Sequence, residues 1–385
     1  MKHQAGLLRY YASRAYNKSL RITGRVPRVS EGVLKKDLVV LSAGYNGNLG
    51  DQAIAYCVAR QCLDHGLHPF FVDYHHIHER NAVDANLPAL MFGGELGDLF
   101  HFTALKTQQP RPLRAAIGGI SISNTFISSQ DPELLSYLKQ IQSFFVRDKS
   151  VAKNSRHSLG LTNIQHAPDI VFSFAATPAK PISRKAQGYP GISKTIGINV
   201  QAFFLQMSKD GSFSPIATSP YGSAEQTAKA EHGYRQALRA LIQHYQQQGY
   251  VVVNYSFCIQ DTLYFKKYFS DLRCEILEFY WNFEKLIQSL GRCSVFVASR
   301  YHAHIASMIA GLPTISIMVG AKNTGLLLDM GVPLAHQVNR DTFLNPRDGV
   351  EALLSLEPFR VPSQTVCQAS KLAIDSFREI VSTVC

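Results

Sequence analysis

The sequence has no Cys-x-x-Cys pair, and its seven cysteines, Cys57, Cys62, Cys258, Cys274, Cys293, Cys367 and Cys385, stand at no metal-ligand spacing. That scatter excludes zinc ribbons and fingers, and the odd count argues against a disulfide framework, so a reducing cytoplasm is the expected compartment. No run of about 18 apolar residues is present to span a membrane, and the first residues lack the apolar stretch and small-residue cleavage site of a secretory signal. Also missing are the Gly-x-Gly-x-x-Gly fingerprint, the Gly-Lys-Ser/Thr of a P-loop, RNP aromatics and finger spacing, which weighs against dinucleotide, ATP and nucleic-acid binding. Acidic residues are scarce, 28 against 39 Lys and Arg, which leaves a formal charge of +11.

What is present is a chain of 385 residues, 46% hydrophobic and 17% charged, long enough for two cores. The excess charge is concentrated before Asp37, where nine Lys or Arg oppose only Glu31. There Leu7, Leu8, Tyr11, Ala15 and Leu20 interleave with Arg9, Arg14, Lys18 and Arg21 at helical spacing, giving one apolar and one basic side. Residues 1–37 read as a basic segment whose helix either docks on the protein as a solvated amphipathic element or meets an anionic membrane surface through residues 1–36. The expected localisation is cytoplasmic, peripheral at the membrane in the second case.

From residue 38 short apolar runs alternate with helical segments, the pattern of a mostly parallel sheet with crossover helices. Strands are expected at 38–43, 69–74, 89–96, 114–122 and 143–148, with a helix beginning at Asp51 and another at Pro132 capped by Asp131. The stretch 177–194 concentrates Pro, Gly, Lys and Arg without periodicity and reads as a linker. A second alternating series follows, with strands at 195–200, 250–255, 294–299 and 313–318 and helices at 232–249 and 282–291, interrupted by a polar loop at 203–228. The expected organisation is an N-terminal α/β domain (38–176), a C-terminal α/β domain carrying the donor site (195–348) and a C-terminal helical segment (349–385) whose last helix packs back on the first domain. Two such Rossmann-like domains leave a cleft, and ligands in these sheets bind beyond the carboxyl ends of strands.

Candidate residues fall at such ends. After the first strand, "SAGYNGNLGDQAIAY" offers glycines for close backbone approach and helix-start amides for an anion or sugar hydroxyls, involving Asn48, Gly50 and Asp51; Asp51 otherwise serves only as a cap. After the third, "FGGELGDLF" places Gly94, Glu95 and Asp98 where carboxylates either orient acceptor hydroxyls or are solvated turn residues. Arg147 ends the fifth strand and either forks onto an anion or pairs internally with Asp169 or Asp148. In "SRYHAHIASMIAGLPTISI", Arg300 and His302 open an apolar helix against its dipole, which calls for a structural partner or an anionic ligand. With Lys322 after the next strand, Arg147, Arg300 and His302 compose a trap for a small acid carrying phosphate and carboxylate. His75, His76 and His78 lack matching ligands elsewhere, so no metal site is assigned.

The ordered set "GYNGNLGDQAI", "GGELGDL", "VRDKSVAKNSRHSLGL", "APDIVF", "ASRYHAHIASMIAGLPTISI" and "AKNTGLLLDMG" resembles the polysaccharide pyruvyl transferase family over about residues 38–332. The resemblance implies a two-domain arrangement like the glycosyltransferase B fold and transfer of pyruvate from phosphoenolpyruvate to sugar hydroxyls as a ketal. It places Arg147, Arg300, His302 and Lys322 at positions implicated in binding phosphoenolpyruvate. Tyr301 departs from the usual Leu, and Glu95 stands where a third Gly is common. The expected mechanism has His302 protonating the donor's methylene carbon and Asp51 acting as base for the hydroxyls, with Asn48, Gly50, Asp51, Gly94 and Glu95 on the acceptor side. No cofactor or metal is required beyond phosphoenolpyruvate as donor substrate; the partners are that donor and a glycan or lipid-linked glycan, with no nucleic acid. A glycosyltransferase using a nucleotide-sugar donor, and a non-catalytic glycan-binding protein, remain the alternatives.

Overall fold

Strands flanked by helices on both faces have no solvent side, so their residues run apolar rather than alternating. The computed structural model shows this in Leu38–Leu41, Ala89–Phe92 and Ala115–Ile120, in which every residue is buried. It describes residues 36–42, 48–72, 85–94, 97–129, 131–176, 194–202, 204–208, 210–216, 223–277, 282–318 and 320–385. The chain divides into two units, one holding the described residues to 176 together with Gln364–Cys385, the other those from 194 to Ser363. The basic segment 1–35 and the linker 177–193 lie outside the described residues.

The first unit is a six-stranded, wholly parallel sheet of β1 (Leu38–Leu41), β2 (Pro69–Val72), β3 (Ala89–Phe92), β4 (Ala115–Ile120), β5 (Phe144–Val146) and β6 (Ile164–His166), in the order β2-β1-β3-β4-β5-β6. Chain order reverses between β1 and β3, which makes the carboxyl ends of those two strands the switch point where such sheets take ligands. Phe102, Phe126 and Phe144 centre one core, with the first two rings 4.5 Å apart. The last helix, Ser363–Val384, covers this sheet: the Phe377 ring lies 5.6 Å from that of Phe92, and Ser143 Oγ donates to Thr383 Oγ1 at 2.9 Å. Gly118 of β4 leaves the room, since a Cβ there would come within 2.2 Å of Phe92 Cζ and 2.8 Å of Ile380 Cδ1.

The second unit is also six-stranded and parallel: β7 (Thr195–Ile198), β10 (Val251–Tyr255), β11 (Cys274–Leu277), β12 (Val295–Ala298), β13 (Thr314–Met318) and β14 (Gln337–Asn339), ordered β11-β10-β7-β12-β13-β14. This is the doubly wound order of a Rossmann sheet, with its switch point between β7 and β12. Tyr234 and Phe343, both fully buried with rings 5.3 Å apart, anchor the long helix Ala224–Gln247 over the sheet.

Several elements differ from the sequence reading. The polar stretch 203–228 contains an antiparallel pair, β8 (Leu205–Met207) and β9 (Phe213–Pro215), and its end belongs to the long helix, capped by Ser223 rather than beginning at 232. In "APDIVF", by contrast, Asp169 stands at a turn, one of the two places the sequence allows it: β6 precedes it and Ile170–Ala176 is a 3-10 helix, with Asp169 accepting from the Val171 amide at 3.0 Å. Segment 349–385 is split, its helix Pro346–Ser355 lying in the second unit and its last helix in the first.

Candidate functional site

In the second unit, the site grows from the carboxyl ends of β7, β12 and β13, adjacent in the sheet. Ser299 and Arg300 follow β12 directly, and the helix Tyr301–Ile309 starts at once with Arg300 as its N-cap residue, making no side-chain cap bond. Asn199, just past β7, ties that turn down. Its Oδ1 accepts from the Arg300 amide at 3.0 Å and from Ser299 Oγ at 3.2 Å, while its Nδ2 donates to the Tyr255 carbonyl at 3.0 Å. From the next loop, Asn323 Nδ2 donates to the Ser299 carbonyl at 2.9 Å. That bond fastens the first turn of the helix Ala321–Asp329, which carries half-buried Lys322, to the Arg300 turn. Arg300, His302 and Lys322 are thus brought to one end of one sheet.

The guanidinium of Arg300 has a structural partner. Its Nε and Nη2 donate to Asp261 Oδ2 and Oδ1 at 2.6 and 2.7 Å, and Nη2 also reaches Cys258 Sγ at 2.9 Å. Asp261 is fully buried, whereas the Arg300 side chain keeps 17% exposure. Burial pushes the Cys258 thiol up to about 12 although the Arg300 charge works the other way, so it is no nucleophile at neutral pH. His302 sits in the first turn of its helix, buried, its ring edge-on to Tyr301 with centroids 5.2 Å apart.

His304 lies elsewhere around the helix and is fully buried. Its Nδ1 is 2.9 Å from the Arg300 carbonyl, and since a carbonyl only accepts, Nδ1 carries the proton. Burial lowers its pKa from 6.5 to about 4, a shift the Arg300 carbonyl opposes without reversing. The imidazole is therefore neutral when folded, and the unfolded chain binds a proton that the native state refuses. Stability falls as pH drops from 6.5 toward 4, by about 3 kcal/mol from this group alone. A His304→Gln variant, which keeps a donor but does not titrate, is expected to show a shallower loss over that interval in denaturant titrations.

In the first unit, β1 and β3 deliver the other candidates to their switch point. The helix after β1 is Leu49–Asp64, two residues longer at its start than expected, and its cap is Asn48, whose Oδ1 accepts from Gly50 N at 2.9 Å. Asp51 occupies the first turn, half-buried, and is not the cap. After β3, Gly94 is buried, Glu95 lies outside the described residues, and Asp98 caps the helix Leu99–Gln108 by accepting from the His101 amide at 3.0 Å. Gly97 admits no side chain at all, for a Cβ would stand 1.8 Å from the Ser121 carbonyl oxygen.

Arg147 takes the internal alternative. Its Nη1 donates to Asp169 Oδ2 at 3.3 Å and its Nε to Ser121 Oγ at 2.9 Å; Ser121 Oγ in turn donates to Asp148 Oδ2 at 2.8 Å. The Arg147 and Asp169 side chains are 1% and 0% exposed. The guanidinium lies beneath the glycine turn, where a Cβ on Gly94 would come within 2.8 Å of Nη1. Among the described residues no group of three or more His, Cys, Asp or Glu side chains is placed to hold a metal, and His75, His76 and His78 lie outside them.

Residues 48–320 match the family described as polysaccharide pyruvyl transferase, a span that begins at Asn48, after β1, and takes in Arg147, Arg300 and His302. The chain belongs to the polysaccharide pyruvyl transferase family. It is accordingly a transferase. No curated protein matches it. Among solved structures it is similar to the UDP-GlcNAc 2-epimerase of Methanocaldococcus jannaschii, at 10% identity and a TM-score of 0.50, covering 90% of this chain and 100% of that one. It is likewise similar to MnaA of S. aureus in a structure with UDP, at 10% identity and TM-score 0.50, covering 90% and 95% of the two chains. At such identity the likeness establishes the fold: two Rossmann-like α/β domains of the glycosyltransferase B type.

The positions in this pyruvyl transferase family member that sequence reading passed over are Asp261, Asn199 and Asn323. Asp261 carried a local signal, since it stands three residues after Cys258, the N-cap of the helix Ile259–Tyr268, where an acidic side chain reaches back to a backbone amide. It does so, accepting from the Phe257 amide at 3.1 Å. Its pairing with a residue 39 positions away had no such signal.

Proposed function

We propose that the protein transfers pyruvate from phosphoenolpyruvate onto two hydroxyls of a sugar in a cell-surface polysaccharide or its lipid-linked precursor, releasing phosphate. The observation that carries the reading is the arrival of Arg300 and His302 after β12, and of Lys322 after the adjacent β13, at the carboxyl end of the C-terminal sheet in a chain of this family. Helix amides after Arg300 and after Gly320 start beside one another there, and the Gly320 cap makes no side-chain bond, so both termini suit an anion. Arg300 and Lys322 bind the donor's phosphate and carboxylate. His302 gives its proton to the methylene carbon, C2 becomes oxocarbenium-like, and a sugar hydroxyl attacks it. The C2–O bond to phosphate then breaks and the second hydroxyl closes the ketal. Of the two protons the hydroxyls release, one balances that taken up by carbon and the other leaves with phosphate.

On this reading Asn48, Gly50, Asp51 and Gly94 serve the sugar, with Asp51 as base. Arg147 acts by supporting the Gly94 turn while paired with Asp169. Incubation with the native glycan and phosphoenolpyruvate, and separately with nucleotide sugars, tests it: phosphoenolpyruvate alone releases inorganic phosphate and adds the mass of one pyruvate ketal. Turnover of a nucleotide sugar instead would make the protein a glycosyltransferase. Among the described residues no helix is long and apolar enough to cross a membrane. The basic segment 1–36 is assigned to an anionic membrane surface, so the full chain is expected to float with anionic vesicles at low salt and a variant lacking residues 1–30 to stay in solution.

A further inference from the structure

The Arg300 bridge is unlike a surface ion pair in three respects. Asp261 is fully buried, both of its oxygens are engaged, and it grips one edge of the guanidinium through Nε and Nη2. The carboxylate is itself fixed, since Oδ2 also accepts from the Phe257 amide and its helix packs behind the site with Thr262 and Leu263 buried. The Arg300 backbone is pinned separately by Asn199. A guanidinium held at its root by one strand and along one edge by a rigid carboxylate has lost its rotamer freedom before any ligand arrives, and planar fork recognition of an oxyanion depends on that orientation.

We propose that Asp261 is a positioning residue for donor binding: it acts through Arg300, setting the plane in which the guanidinium meets the oxyanions of phosphoenolpyruvate. The inference rests on the reading of phosphoenolpyruvate as donor. It differs from a stability role because Asp261→Asn retains an acceptor for the Phe257 amide and an oxygen for one guanidinium N–H, yet gives up the two-point grip.

The test is calorimetric titration of the full chain with phosphoenolpyruvate, comparing wild type, Asp261→Asn, Arg300→Lys and the double variant, with a thermal unfolding curve for each. Asp261→Asn is expected to lower the unfolding temperature by several degrees, leaving the chain folded at the titration temperature, and to weaken the donor by about 10- to 100-fold. In the Arg300→Lys background the same change costs less than about twofold more, because a residue acting only through Arg300 has nothing left to orient. Asp261→Ser, with a short hydroxyl acceptor, replaces the Asn variant if that one fails to fold. Wild-type affinity in Asp261→Asn, or losses that multiply in the double variant, overturn the proposal while leaving the donor reading intact. Absence of phosphoenolpyruvate binding by the wild type overturns the donor reading and this proposal with it.

Discussion

On the proposed function, replacing His302 by glutamine is expected to lower the rate constant for pyruvyl transfer by about 10²- to 10⁴-fold, the usual contribution of a positioned proton donor, and to leave phosphoenolpyruvate binding in place. The expectation follows from separating charge from acid. Arg300 and Lys322 supply the positive charge at the end of the C-terminal sheet, and neither is disturbed by the substitution. His302 is buried in the first helical turn beside them, and Gln preserves the length of the side chain and a polar tip without an acid able to protonate carbon. Transfer run in deuterium oxide places one deuterium in the product methyl group, read by mass spectrometry, and in the Gln variant that product forms at the reduced rate. Normal turnover by a folded Gln variant would remove His302 from the chemistry. Loss of donor binding with unchanged turnover at saturation would make it a ligand contact instead.

Replacing Asp169 by alanine is expected to destabilise the N-terminal unit by about 3–5 kcal/mol, because it takes a buried counter-charge away from the buried Arg147 guanidinium. Both side chains are effectively inaccessible, so water cannot take the place of the lost carboxylate. Ser121 and Asp148 soften the loss only in part, since Ser121 Oγ already accepts from Arg147 Nε and donates to Asp148. On a domain of this size the change amounts to a fall of about 10 °C in unfolding temperature, measurable by calorimetry. A joint Arg147→Met and Asp169→Leu variant is expected to recover much of that loss, because apolar groups of similar volume need no counter-charge. A single Asp169→Ala variant that unfolds like wild type would show that the pair carries no stability.

The sequence announces this architecture through its buried parallel strands. Val39, Ile117 and Val297 sit in runs too apolar for a one-sided sheet, and the helix caps Asp131 and Asn282 are ordinary local chemistry. Less legible were the edge and short strands, β6 as "IQH" and β14 as "QVN", where exposed or polar residues replace the apolar run and only pairing with an inner neighbour makes a strand. The same division holds for the site. Arg300 and His302 drew notice because cationic groups at a helix start oppose the dipole, but the partner that permits Arg300 to stand there, Asp261, comes from a different βα unit. For Arg147 the internal pair with Asp169 was one of two readings, and burial decides it.

The helix Ser363–Val384 has a bearing on how the chain is made. A chain emerging from the ribosome presents β1 to β6 long before this helix, and domains ordinarily close in the order of synthesis. Here the strands synthesised first wait for a helix that follows the whole second unit, since Phe377 and Ile380 cover Phe92 and the bare face of Gly118. During synthesis the C-terminal Rossmann unit is therefore the first able to bury its sheet on both sides, and a nascent chain halted before Ser363 exposes an adhesive apolar face that chaperones would have to shield.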